Sequence, residues 1–324
     1  MVLTVNPLKL INKDLKKLEF RLREFLQIPV PVLSETGVYL LEAGGKRVRP
    51  IFALLAGKLF NYDESTLFTV AMAIEIIHMA SLAHDDIVDD STLRRGRPTL
   101  AARWGKAAAV VTGDYLLAQA MQLIYGVKNK EVTSLLAHTS TEMCRGEICQ
   151  IQASHDTRQS VHDYFYKIRR KTALLLSLSC EAGAVVSGAS REEARVLRQY
   201  GQCLGVAFQI MDDVLDIEAT KEEIGKPPAS DVRQGIITLP MLIAMNEGGA
   251  GSVRLRELLT RKEKTTAEVA EATALIRRSG GPARCRETAR RFITAACRKL
   301  PLLPDKPERA ALARMAEIVL NRRS

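Results

Sequence analysis

Apolar residues recur every three to four positions along nearly the whole chain, and strand-like alternation is scarce. That pattern confines the chain to packed helices. It predicts helices over roughly 8–26, 32–43, 47–60, 64–86, 99–104, 106–126, 130–153, 160–187, 191–218, 236–247, 252–260, 265–279, 282–299 and 306–321. Their ends carry the expected punctuation. Asn61-Tyr62-Asp63 precedes one start, and Gly248-Gly249-Ala250-Gly251, Gly280-Gly281-Pro282 and Leu300-Pro301-Leu302-Leu303-Pro304 break the chain. Composition agrees: 47% of residues are hydrophobic but only 5% aromatic, so small and branched aliphatics must fill the core. The polar stretch "ATKEEIGKPPASDVRQG", residues 219–235, reads as a surface loop able to act as a lid. No linker, repeat or low-complexity tract interrupts the pattern. Residues 1–324 are therefore expected to form a single all-α domain, a bundle of ten or more helices.

The net charge of +10, with a pI of about 9.4, suits an anionic partner. Nucleic acid is not expected, because the cations cluster beside carboxylates instead of forming a stripe with stacking aromatics. The six cysteines form no CxxC pair and fall in predicted helices, as buried thiols in a reducing compartment do. Lys9, Lys13 and Asp14 interrupt any apolar signal core, so a cytoplasmic location is expected. No transmembrane segment is expected either. No stretch reaches 18 uncharged apolar residues, and the most apolar run, Phe68 to Ala83, contains Glu75 and His78.

The chemistry concentrates in "LAHDDIVDD", residues 82–90. Asp85, Asp86 and Asp89 form DDxxD near the C-terminal end of a predicted helix. Asp85 and Asp89 are four residues apart and share a face. Their charges repel, and the negative end of the helix dipole adds to the cost. A divalent cation removes the repulsion, and all-oxygen ligands favour Mg²⁺. A solvated acidic helix end would explain one such motif. "FQIMDDVLD" repeats it with Asp212, Asp213 and Asp216, again after an apolar helix. Two such helices facing each other would hold a cluster of metal ions between them.

Cations accompany the carboxylates. "LRRGRPT" supplies Arg94, Arg95 and Arg97, whose fork-shaped guanidiniums suit phosphate oxygens. "GGKRVRP" places Gly44 and Gly45 before Lys46, Arg47 and Arg49 at a helix start, an arrangement that binds anions. Lys171 and Thr172 open an apolar helical run, and Lys226 lies on the lid-like loop. Two acidic sets and several cations imply a ligand set with two phosphorylated groups. One is bridged by Mg²⁺ to aspartates, and the other is gripped directly.

The chain resembles the all-trans polyprenyl diphosphate synthases of the isoprenyl diphosphate synthase family. The likeness runs through "GGKRVRP", "EIIHMASLAHDDIVDDSTLRRGRPT", "GDYLLAQA", "GEICQ", "KTALLLS", "FQIMDDVLDI" and "GKPPASDVRQGIITLP", and covers residues from about 40 to the end. It implies a helical bundle around a deep central cavity, and the head-to-tail joining of isopentenyl diphosphate to an allylic diphosphate. It implies three Mg²⁺ ions with diphosphate bound. Asp85, Asp89, Asp212 and Asp216 would hold them, and Asp86 and Asp213 would support or share the ligation. Arg94, Lys171 and Lys226 would contact the allylic diphosphate. Lys46, Arg49, His78 and Arg95 would bind isopentenyl diphosphate, with Gly45 allowing close approach. Thr172 and Gln209 would stand beside the reacting carbons. A homodimer is implied as well, and a peripheral membrane contact for product release. The sequence departs from the family at Ile236, where Lys is frequent, and at Ala229, where Gly is frequent.

A helix rises about 5.4 Å per turn, roughly one isoprene unit. A tail growing down the helix from Asp85 meets Ser81 and Ala80 one turn upstream, then Ile77 and Ile76. The first two are small, so a deep pocket and a product of about C30 to C40 are expected, of the kind that becomes a quinone side chain. Shorter products, a class I terpene cyclase and a non-catalytic partner subunit are the alternatives. The intact second DDxxD and the "GGKR" stretch weigh against the cyclase, and the complete metal set against the partner subunit.

Overall fold

The computed structural model of the protein describes residues 6–218 and 229–321. It is all-α. Lys226 and the greater part of the expected lid lie outside the described residues. The helices are α1 (Pro7–Leu26), α2 (Pro31–Glu42), α3 (Val48–Lys58), α4 (Glu64–Val88), α5 (Leu100–Trp104), α6 (Lys106–Gly126), α7 (Lys130–Gln152), α8 (Val161–Ile168), α9 (Leu174–Val185) and α10 (Arg191–Glu218). Then follow α11 (Ser230–Gln234), α12 (Leu239–Asn246), α13 (Gly249–Thr260), α14 (Thr266–Arg278), α15 (Gly281–Arg298) and α16 (Pro307–Asn321). The chain folds as two compact units, each assembled from three stretches. The first comprises Met1–Ser140, Leu175–Gly201 and Cys297–Met315, and the second Thr141–Leu174, Gln202–Ala296 and Ala316–Ser324.

Local chemistry sets the boundaries. The Asp63 carboxylate accepts from the Thr66 amide at 2.8 Å and caps α4. Capping boxes formed by Ser160 with Asp163 and by Thr265 with Glu268 open α8 and α14. In the first unit α4 is buried on nearly all sides, packed against α3 and α6. By length and composition α4 and α6 are the two helices, among the described residues, apolar enough to cross a membrane. Burial separates them: 72% of the most apolar window of α4 is buried, against 33% for α6.

The structure departs from the periodicity in four places. Residues 93–98, with no strand expected, form a small antiparallel hairpin, β1 (Leu93–Arg94) with β2 (Arg97–Pro98). Its two turn residues, Arg95 and Gly96, sit at φ 51° and 75°, the backbone a two-residue hairpin turn requires. The expected helix 160–187 is one run of helical turns but widens into a π-turn at Arg169–Ala173. The helix expected from 236 starts at Leu239, where Pro240 occupies a first-turn position. Finally, α11 forms within the stretch read as loop.

The π-turn is held by close backbone approach. A Cβ on Gly205 would lie 2.5 Å from the Ala173 Cα. One on Gly146 would lie 2.8 Å from the Arg170 Cβ and 2.9 Å from the Lys171 nitrogen. Only a glycine lets either neighbouring helix come this near. Gly205→Ala is expected to cost about 1–3 kcal/mol, the usual toll of overpacking. Urea unfolding would register this as a lowered midpoint.

Candidate active site

The first unit carries the first acidic motif and a cationic cluster on one helix. Asp85 and Asp86 lie in the last turn of α4, and Asp89 is its C-cap. Asp86 is 2% exposed, and its Oδ1 accepts from Arg94 Nε at 2.7 Å. Burial raises the Asp86 carboxyl, and the Arg94 guanidinium works in the opposite direction. Asp85 and Asp89 are half-buried. Asp90, at φ 46°, turns outward and pairs with Lys106 at 2.8 Å.

Two turns up α4 from Asp85, His78 sits among guanidiniums. Arg47 caps α3 in a left-handed conformation, φ 48°. It donates to Glu19 and Glu75 at 3.2 Å and to the Leu41 carbonyl at 2.6 Å. The Nε of Arg49 is buried without a hydrogen-bond partner. Burial lowers the Arg49 pKa to about 10, with Glu75 opposing. Arg95 is lowered by desolvation and by Arg94. His78 is held well below its ordinary value of 6.5, first by desolvation and then by Arg49, Arg95, Arg94 and Arg47. A Cβ on Gly45 would lie 3.1 Å from Nη1 of Arg47 and 3.2 Å from Nη1 of Arg95. Lys46 is exposed on the same loop. A buried unpaired N–H and several partly desolvated cations make a receptor for an anion. Glu75 is the residue sequence reasoning passed over. It registered only as a break in an apolar run, yet it is 3% exposed and pairs with Arg47.

The second unit joins four side chains in a line. Thr172, in the π-turn, donates to Gln209 Oε1 at 2.7 Å. Gln209 Nε2 donates to Asp213 Oδ1 at 2.8 Å, and the Tyr164 hydroxyl donates to Asp213 Oδ2 at 2.6 Å. Burial pushes the Asp213 carboxyl up, and these two hydrogen bonds pull it down. Lys171 Nζ pairs with Glu147 at 2.7 Å. Asp212 is half-buried. Asp216 is 2% exposed and accepts from the amides of Ser230 at 3.2 Å and Asp231 at 3.0 Å, tying α11 to α10. Ala229 precedes α11 at φ 54°, a conformation that explains why glycine suits that position. Glu147 lies in "GEICQ", one of the stretches that carry the family likeness, but sequence reasoning assigned it no role, and Tyr164 carried no signal beyond a tyrosine on an apolar helix face.

No three His, Cys, Asp or Glu side chains among the described residues converge as a closed metal cage. The donors are nevertheless the right kind. Carboxylates at i and i+4 suit a hard cation that takes its remaining ligands from water and phosphate oxygens, as Mg²⁺ does. Upstream on α4, Ile76, Ile77 and Ala80 are buried at 0%, 2% and 2% exposure. Ser81 gives its hydroxyl hydrogen to the His78 carbonyl at 2.8 Å.

An acidic helix end beside a cationic anion site, in an all-α fold, defines a class of helical enzymes that act on diphosphate esters. The polyprenyl synthetase family model matches residues 30–276. The chain is 37% identical over 313 residues to "Heptaprenyl diphosphate synthase component 2" of Bacillus subtilis, covering 97% of this chain and 89% of that protein. It is 38% identical over 292 residues to the nonaprenyl diphosphate synthase of Mycobacterium tuberculosis, covering 90% and 87%. Among solved structures, the Caulobacter crescentus polyprenyl synthase complexed with calcium and isoprenyl diphosphate superimposes with a TM-score of 0.94. It shares 34% identity, with 98% of this chain and 97% of that one covered. The chain belongs to the polyprenyl synthetase family and is a trans-prenyltransferase, of a family that typically uses Mg²⁺.

His78 gives the site a pH signature. Its folded pKa is depressed, so below about pH 6.5 the unfolded chain takes up a proton that the folded chain resists. The His78 contribution is complete above that pH and is lost progressively below it, toward the depressed folded value. Without ligand, urea unfolding from pH 7.5 to 5.5 is expected to show a loss of stability that is smaller in His78→Gln.

Proposed function

We propose that the chain joins isopentenyl diphosphate head-to-tail (1'-4) to an allylic diphosphate such as farnesyl diphosphate, giving an all-trans polyprenyl diphosphate of about C30 to C40. The observation that carries this reading is on α4. The helix presents His78 among arginines and, two turns on, Asp85 and Asp89. Sites of opposite charge so close together suit two diphosphates, one bound directly and one through metal. A terpene cyclase has no use for the first of these. The names of the relatives, heptaprenyl and nonaprenyl synthase, favour a long product.

The proposed roles follow the chemistry. Lys46, Arg49, His78 and Arg95 hold isopentenyl diphosphate, with Gly45 leaving room for it. Arg94, Lys171 and Lys226 contact the allylic diphosphate. Asp85, Asp89, Asp212 and Asp216 serve the Mg²⁺ ions, with Asp86 and Asp213 in support. Bound Mg²⁺ neutralises the charge that grows on the leaving diphosphate. The allylic carbon–oxygen bond breaks, and diphosphate departs with the electron pair. Thr172 and Gln209 turn oxygen dipoles toward the allylic cation. The double bond of isopentenyl diphosphate forms the new carbon–carbon bond, and a proton leaves to the departing diphosphate.

Tail length is read from side-chain size on α4: Ala80 and Ser81, one turn above Asp85, are small, and Ile77 and Ile76 follow a turn further on.

The chain is read as cytoplasmic, releasing its product at a membrane, with quinone side chains as one destination. A homodimer through α6 is proposed, since Val110, Val111 and Tyr125 are 40%, 55% and 80% exposed on it. The B. subtilis relative is named "component 2", which makes a further subunit the alternative. Activity of the purified chain alone separates these. Incubated with farnesyl diphosphate, isopentenyl diphosphate and Mg²⁺, it is expected to give products longer than C20 by chromatography, and Ala80→Phe to shorten them. A C15 or C20 major product from the unmodified chain would sink the long-chain reading, and hydrocarbon released without isopentenyl diphosphate would mark a cyclase.

A further inference from the structure

We propose that Tyr164 is a positioning residue for prenyl transfer: through Asp213 it fixes the Gln209 amide, which leaves the Thr172 hydroxyl oxygen a pure hydrogen-bond acceptor toward the reacting carbons. The inference rests on the prenyl-transfer reading above and assigns a role to a residue outside every motif named so far.

The hydrogen bonds run in one direction. Ionised Asp213 can only accept, so the Gln209 group facing it at 2.8 Å must be the NH₂. The amide carbonyl then lies at the other end, where it takes the Thr172 hydrogen at 2.7 Å. Thr172 has one hydrogen to give and has given it, so only lone pairs remain on its oxygen. An oxygen in that state stabilises a developing cation, whereas a hydroxyl free to rotate can turn its positive end toward the same carbon. Asp213 thus decides which way a distant hydroxyl points, although neither of its oxygens need touch substrate.

Tyr164 holds Asp213 in place. It lies on α8, just before the π-turn, and is 1% exposed. Its ring packs edge-on against Phe165 with centroids 5.4 Å apart, which fixes where the hydroxyl can be. Burial and the Asp213 charge keep the phenol protonated, so it remains a donor. Without that hydroxyl, Asp213 Oδ2 is buried with no donor at 2.6 Å, and the carboxylate can swing away from Gln209. Gly146 and Gly205, which let neighbouring helices close on the π-turn, keep Thr172 within reach of the amide.

The test is a double-mutant cycle in turnover. Tyr164→Phe, Gln209→Ala and the double variant are assayed with farnesyl and isopentenyl diphosphates. Tyr164→Phe is expected to lower kcat about tenfold, less than the roughly 10²–10³ lost with a group that itself touches the transition state. Both KM values and the Mg²⁺ half-saturation should barely move, while the melting temperature falls by roughly the few degrees that an unpaired buried carboxylate oxygen costs. The double variant should be no slower than Gln209→Ala, because the phenol acts only through that amide. Unchanged kcat in Tyr164→Phe overturns the proposal, as does a double variant whose loss is the product of the single losses. If Tyr164→Phe does not fold, Tyr164→Met removes the same hydroxyl with a flexible side chain that fills irregular space, and goes through the same cycle. A kcat loss that disappears in the Gln209→Ala background is expected, and full kcat or multiplying losses overturn the proposal. An inactive unmodified enzyme would overturn the prenyl-transfer reading and this proposal together. An active one matched by Tyr164→Phe would overturn this proposal alone.

Discussion

Unbalanced charge on α4 is the constraint around which the first unit is organised. Two charges 4 Å apart interact by about 4 kcal/mol at an effective dielectric of 20, so crowding like charges must be relieved. The arginines around His78 are relieved in part. Glu75, buried in the middle of the helix, pairs with Arg47 at 3.2 Å, and Asp86 pairs with Arg94 at 2.7 Å. The Arg49 Nε keeps no partner. Asp85 and Asp89 stand at the helix end where the backbone dipole favours cations. One stretch of the helix therefore calls for an anion and the turns beyond it for a cation. A diphosphate and a metal-bound diphosphate, as proposed, would answer both.

The second unit achieves its arrangement through the backbone. A π-turn shifts Thr172 relative to a regular helix, and two glycines let adjacent helices press against the turn. That closeness makes the Thr172–Gln209–Asp213–Tyr164 line continuous. Asp216 serves a further end, holding the start of α11 by two backbone amides. Identical DDxxD spacing thus places its carboxylates differently in the two motifs. Asp86 is salt-bridged, Asp213 is hydrogen-bonded to a phenol and an amide, and Asp216 caps a helix.

Much of this was legible in the sequence, for identifiable reasons. Long apolar runs locate α4 and α6 and an amphipathic period locates α10, while residues of strong chemical character, such as paired aspartates and clustered arginines, disclose where the chemistry lies. The hairpin at 93–98 escaped because its strands are two residues each and its only cue is Gly96 after an arginine. The π-turn escaped because the helix after it is apolar and buried on nearly every side, so a shift of phase leaves no mark in the pattern. Glu75 and Tyr164 escaped because a lone acid or tyrosine in an apolar helix gains meaning only from its partner, and those partners are 28 and 49 residues away in sequence. Pairings at that distance are set by tertiary packing, which periodicity does not encode.

The central claim is that α4 serves two diphosphates in two ways, one with metal and one without. Calorimetric titration of a non-ionisable farnesyl thiodiphosphate and of isopentenyl diphosphate, each with Mg²⁺ and with a chelator, tests it directly. Farnesyl thiodiphosphate is predicted to need Mg²⁺ and to bind weakly to Asp85→Asn, while isopentenyl diphosphate binds with or without the metal. Equal binding of farnesyl thiodiphosphate in the chelator, or isopentenyl diphosphate binding that vanishes there, would contradict it.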